Sequence, residues 1–201
     1  MLTEASRAAN LTNETGVDGR VRFLHNVMGL WILSESLRYW QRMDPMVELP
    51  GLLAAARDLT TPVSLFNAED PMFQAPGNMP SRIAKWCGDH GVKAPQGPTE
   101  FVRSIIESLA TAFVDAVQMA STLSAKKVSV IHIVGGGSQN ELLCQLIADR
   151  SGLQVLAGPV EASTIGNILI QARALDLSDG SLESLRSLVA TSFSPRRYLP
   201  T

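Results

Sequence analysis

Apolar positions along the chain fall into a few periodic blocks separated by polar, glycine- and proline-rich stretches. Residues 1–20 are polar and rich in Asn, Thr and Gly, and they read as extended or looping. Val21, Leu24, Met28, Trp31, Ile32 and Leu37 then recur at helical spacing, which predicts an amphipathic helix over 21–41. Asp44-Pro45 ends it, because the residue before proline is biased away from the helical region. A short helix over Leu52–Leu59 and a short strand over Val63–Phe66 follow. Three prolines and a glycine make 67–80 a loop. A helix over Ser81–Asp89 stops before Gly91, and Lys93–Pro98 is a second loop. Thr99 is placed to cap a long helix reaching Leu123, with Phe101, Ile105, Leu109, Ala112, Ala116 and Met119 as its buried stripe.

The pattern changes after Lys127. Val128–Val134 is β-branched at most positions and reads as a buried strand. A glycine turn follows it, then a helix over Glu141–Arg150 that Gly152 terminates. Leu153–Leu156 is a second strand, and helices over Ala162–Leu175 and Ser181–Ala190 complete the chain. Strand, turn, helix, strand, helix, helix is an α/β order.

With 201 residues, 45% of them hydrophobic and 18% charged, the chain has enough apolar material for one sizeable domain, with or without a satellite subdomain. A net charge of −2 with no dense Lys/Arg cluster gives no nucleic-acid surface. Arg196-Arg197 is the nearest approach to one. The two cysteines, Cys87 and Cys144, lie within apolar helical patterns and read as small core residues. The first residues lack the basic-then-apolar layout of a signal peptide, and no stretch reaches the ~20 apolar residues of a membrane span. No membrane association is expected, and the cytoplasm is the expected location.

Chemistry concentrates at Ile131–Asn140, IHIVGGGSQN. Gly135, Gly136 and Gly137 close a strand and open a helix. Glycine permits positive φ and close approach of backbone to a ligand. Ser138 or Asn140 can cap the next helix, whose first N–H groups and dipole suit an anion. A nucleotide fits such a turn; so does a tight turn with no ligand. The GxxxxGK[ST] string of a P-loop is absent. GxGxxG is matched only in part, with Asn140 at the third glycine position and Glu161 lying 24 residues after Gly137. A dinucleotide-binding oxidoreductase domain therefore stays open as an alternative.

Other polar residues read as structural. His25, His90 and His132 are far apart and have no metal-ligand spacing. His132 is expected to be hydrogen-bonded within its strand; His25 adjoins Asn26, which leaves lining of a cleft as an alternative for it. Asp70, before Pro71, suits a turn, and Glu161 suits the start of a helix. Trp31, Trp40 and Trp86 fall on apolar helix faces. The small residues of Ala162–Asn167 suit close packing on the sheet, with lining of a nucleotide cleft as the alternative.

Two blocks, HIVGGGSQN and AGPVEAST, lie within Val130–Gln171, and AANLTNE, HNVMGLW and DPMFQAPGNMPSRI lie upstream of it. Together these strongly resemble the C-terminal domain of the FGGY carbohydrate kinases, and their rhamnulose-kinase branch in particular. The likeness is spread over nearly the whole chain. It implies an actin-like (ribonuclease-H-like) α/β fold, with residues 1–201 forming the nucleotide-binding half of a two-domain enzyme. It implies ATP and ADP with Mg²⁺ as the nucleotide partners, and L-rhamnulose as the sugar phosphorylated on its 1-hydroxyl. By the same resemblance, Gly136 matches a nucleotide-contacting glycine flanked by Gly135, Gly137 and Asn140. Asn26 matches an asparagine that contacts the nucleotide. Rhamnulose kinases often carry a glutamine eight residues later, where this chain has Ser34, too short for the same reach except through water.

The family's acidic general base lies in a His-Asp-Thr-like motif preceding the segment matched here, and no His-Asp-Thr occurs in this chain. No catalytic residue is assigned for that reason. Sugar binding would come from the N-terminal domain that these residues do not include. The chain alone is expected to be inactive, as an excised domain, a truncated product or half of a split enzyme. A catalytically silent nucleotide-binding or assembly module is the alternative.

Overall fold

The computed structural model describes residues 3–178 and 180–201. In chain order its elements are α1 (Glu4–Ala8), β1 (Leu11–Thr15), β2 (Val21–His25), α2 (Trp31–Met43), α3 (Leu49–Asp58), α4 (Met79–Asp89) and α5 (Gly97–Ser124). There follow β3 (Val130–Ile133), α6 (Glu141–Ser151), β4 (Gln154–Ala157), α7 (Ala162–Ala174), α8 (Leu182–Ser192) and β5 (Arg196–Tyr198). They fall into two compact units, Met1–Asn26 with Val117–Thr201, and Val27–Ala116.

In the first unit, β1 and β2 pair antiparallel, with Leu11 opposite His25 and Thr15 opposite Val21. This corrects the helix expected over 21–41. Val21–His25 is a strand, and the helix starts ten residues later, at Trp31. The cause is the connection Gly16–Arg20. Asp18 (φ 58°) and Gly19 (φ 69°) both take the left-handed conformation, which turns the chain back, and the Gly16 N–H donates to the Arg20 carbonyl at 2.6 Å. Asp-Gly between two short β-prone runs is a hairpin signal that outweighs a helical period shared by a few apolar positions.

The second sheet of this unit has the order β3-β4-β5. β3 and β4 run parallel, in the register Ile131 to Val155 and Ile133 to Ala157. A parallel pair needs a crossover, which α6 supplies. It packs on β4 and β5 and buries Leu143, Cys144, Ile147 and Ala148. β5 adds antiparallel to β4, with Tyr198 opposite Val155. The α/β order expected after residue 128 is present, with β5 as an unforeseen third strand. α7 contrasts with α6, for none of its residues is buried. The close packing expected from its small residues is therefore not seen. Its Arg173 pairs bidentately with Asp18, at 2.7 and 3.1 Å. Arg20 pairs in the same way with Glu183 of α8, at 2.6 and 3.0 Å.

The second unit is helical. Its core holds Ile32, Phe73, Met79, Ile83, Ile105, Ile106 and Leu109, all fully buried. α5 starts at Gly97, two residues before the expected cap, so Thr99 lies inside it. Ile105 and Leu109 are buried as expected; Phe101, Ala112, Ala116 and Met119 are half-buried. The buried face instead includes Val102, Ile106, Ala110 and Val114. The strand expected over Val63–Phe66 does not form. Two serines one turn apart on α5 take up its backbone groups. The Ser104 hydroxyl donates to the Ser64 carbonyl (2.5 Å), and Ser108 Oγ accepts from the Phe66 N–H (3.0 Å). These two bonds take one carbonyl and one N–H of the segment that a neighbouring strand would otherwise pair.

Side chains also pin the loop 67–80. Asp70 Oδ1 accepts from the Met72 N–H at 2.9 Å, and its Oδ2 accepts from the Trp86 indole at 3.1 Å. Asp70 thus has the turn role its position suggested. Glu35, buried on α2, accepts from the Gly77 N–H at 2.9 Å and pairs with Arg38. Trp40 is buried, and half-buried Trp31 donates its indole N–H to the Phe73 carbonyl. Cys87 and Cys144 are buried free thiols. Among the described residues no helix is long and apolar enough to cross a membrane.

Candidate functional site: the glycine turn after β3

The first unit carries the turn that sequence chemistry singled out. β3 and β4 remain joined beyond their last paired residues. The Gly158 N–H donates to the Ile133 carbonyl (2.8 Å), and the Gly135 N–H donates to the Pro159 carbonyl (3.2 Å). The two loops leaving the sheet are thereby held side by side. Gly135 then takes φ 77°, a conformation costly to residues with a side chain. Gly136–Gln139 forms one 3₁₀ turn, closed by the Ser138 N–H and the Ser138 hydroxyl on the Gly135 carbonyl (3.1 and 2.7 Å).

Asn140 ends the turn and caps α6, its Oδ1 accepting from the Leu143 N–H at 3.1 Å. Of the two capping candidates it is Asn140 that serves, while Ser138 folds back on the turn. Both are buried. Beneath the turn lies the Cys144 thiol, within 3.9 Å of the Gly137 and Ser138 carbonyls. Burial pushes this thiol up to about 11, with Arg196 opposing and Glu141 adding slightly. It is therefore protonated at neutral pH and packs rather than reacts. Glu141, in the first turn of α6, pairs with Arg196 of β5.

Gly136 differs from Gly135. Its φ is not positive, it is exposed, and a Cβ built on it would meet nothing within 4 Å. Neither backbone conformation nor crowding by the protein calls for glycine there. Beside the turn runs a groove of about 430 Å³, lined by Ser138, Gln139, Pro159, Val160, Ile165 and Phe193, among others. Glu161 also lines it, at the start of α7, where its side chain makes no capping hydrogen bond.

The expected site residues are distributed as follows. Gly135, Gly136, Gly137 and Asn140 form one continuous turn. Asn26 belongs to the same unit; it is exposed in the segment that follows β2. Ser34 belongs to the other unit, exposed in the first turn of α2. His132 is exposed on β3, and His25 contacts the Asn10 carbonyl through Nδ1 at 3.2 Å. Phe193 and Ser194 were not foreseen at the groove; no local motif marks them. Among the described residues no three His, Cys, Asp or Glu side chains gather to hold a metal ion.

The solved structures that this fold resembles include the ligand-bound xylulose kinase from Lactobacillus acidophilus (TM-score 0.58, 18% identity). The xylulose kinase from Rhodospirillum rubrum is also similar (TM-score 0.60, 16% identity). In both cases 96% of this chain aligns with 38% of the other. A rhamnulokinase from Enterobacter sp. (strain 638) is 40% identical over 98% of this chain, which spans 40% of that protein's length. Residues 2–175 match the sequence model of the FGGY family of carbohydrate kinases, C-terminal domain. The fold is thus the actin-like α/β type, and the chain belongs to the FGGY family of carbohydrate kinases through that C-terminal domain.

Proposed function

We propose that this chain supplies the adenosine-binding part of an ATP-dependent sugar kinase that phosphorylates L-rhamnulose on its 1-hydroxyl. The observation that carries the reading is Gly136. The protein itself gives no reason for a missing side chain at that position, and the turn that carries it continues into Ser138 and Gln139, which line a groove. Close approach of a ligand to the backbone supplies the reason. In this reading Gly135–Gly137 lie along the adenosine and α-phosphate, and Asn140 holds the α6 N-terminus in place behind them. The choice of L-rhamnulose rests on the likeness to the Enterobacter rhamnulokinase.

That likeness covers 40% of the relative's length. In this reading the sugar, the γ-phosphate and the general base are assigned to parts of the kinase that match the remaining length of that relative. Mg²⁺ would ride on the nucleotide's phosphate oxygens, in keeping with its preference for phosphate and water ligands. Phosphoryl transfer is mostly positioning and charge stabilisation, and this chain's share is to hold the nucleoside end still.

Calorimetry with ADP and with NAD tests the reading. ADP binds and NAD does not; NAD binding without ADP would favour the oxidoreductase alternative that the partial GxGxxG leaves open. Gly136→Val places a side chain where the protein has none, so it abolishes ADP binding and leaves the melting temperature unchanged. In a coupled ADP-release assay with L-rhamnulose and Mg²⁺, residues 1–201 alone give no turnover above background.

A further inference from the structure

We propose that Phe193 forms the wall of the groove against which the nucleotide base stacks, and so sets a preference for purine over pyrimidine nucleotides. The inference deepens the nucleotide reading and rests on it. Phe193 follows α8 and lies beyond the segment, 2–175, that matches the family. The family model therefore assigns it no role, although the similarity to the Enterobacter relative runs over 98% of the chain. It nevertheless lines the same groove as Ser138, Pro159, Val160 and Ile165.

Two of the large apolar side chains lining the groove stand open to water, Phe193 at 46% and Val160 at 37% exposure. An aromatic ring left exposed beside aliphatic neighbours is an incomplete apolar contact. A flat heteroaromatic base has a π-face that completes it, and phenylalanine orders little on binding because it has two side-chain torsions. The two sides of the groove then divide the work. The glycine turn admits the backbone-hugging part of the nucleotide, which all nucleotides share. Phe193 contacts the base, which differs among them. Stacking scales with ring overlap, so a two-ring base gains more from Phe193 than a one-ring base.

The test is calorimetric titration of the 201-residue chain with ADP and CDP, for the wild type, Phe193→Ala, Phe193→Trp and Gly136→Val. The wild type binds ADP more tightly than CDP. Phe193→Ala weakens ADP by about tenfold and CDP by less, the size expected for loss of one base–aromatic stack. Phe193→Trp retains ADP affinity. Gly136→Val removes both ligands. Equal loss of ADP and CDP in Phe193→Ala would mark Phe193 as merely structural and overturn the proposal. So would unchanged ADP binding in Phe193→Ala alongside its loss in Gly136→Val, an outcome that leaves the nucleotide reading intact. A wild-type chain that binds neither ligand overturns both.

Discussion

Tyr198 is 7% exposed, and its hydroxyl finds no hydrogen-bond partner among the described residues. A buried polar group without a partner costs stability, so removing it is expected to help. Tyr198→Phe raises the unfolding free energy by about 1 kcal/mol, read from the urea midpoint. Glu35 is the opposite case, a buried carboxylate with its partners in place. The Gly77 N–H holds its carboxyl below the usual range, with Arg38 adding to the effect and burial opposing it. A carboxylate lowered in the folded state contributes fully above its unfolded value near 4.5, and the contribution drains away as pH falls through the lower folded value. Acid therefore loosens the contact between α2 and the loop at Gly77. Urea midpoints of the wild type fall below that pH, and Glu35→Gln makes the decline shallower. Neither residue was legible in advance. A tyrosine in a three-residue strand and a glutamate on an amphipathic helix look like surface residues until their neighbours are known.

Helices of similar apolar content do different work in this chain. Ile105 of α5 is fully buried, whereas Ile168 of α7 is 60% exposed and no residue of α7 is buried. Ile105→Ala is expected to cost about 2–5 kcal/mol, from lost transfer energy and a cavity. Ile168→Ala changes stability by less than about 0.5 kcal/mol. Asn140 holds the first turn of α6 through one hydrogen bond, and Asn140→Ala costs about 1 kcal/mol. Element boundaries were readable wherever caps and breakers are local. Gly152 ends α6 with φ 66°, and α6 itself was foreseen to within a residue. The β1–β2 hairpin was misread because its strands are short and its apolar residues happen to share a helical period with those that follow. β5 was missed because Arg196–Tyr198 carries two arginines and no alternation; only pairing with β4 makes it a strand.

At the scale of the molecule, the two ion pairs Asp18–Arg173 and Arg20–Glu183 tie the hairpin turn to α7 and α8 across long stretches of sequence. All four side chains are at least partly exposed, so salt screens them. Added salt is expected to lower the melting temperature slightly, and Asp18→Asn should remove part of that dependence. One side of the groove, at Ser138 and Gln139, lies in a turn that was legible because strand, glycines and helix follow one another in the chain. The groove's other side at Phe193 was not, since it reaches the turn only through the fold. The serine pair Ser104 and Ser108 has a wider bearing. By engaging the Ser64 carbonyl and the Phe66 N–H, the two hydroxyls leave Val63–Phe66, an apolar run with strong β tendency, with fewer open backbone groups to offer another chain. Two side chains on a helix thus guard against cross-molecule strand addition, and the Phe66 amide is expected to exchange slowly with deuterium although it belongs to no sheet.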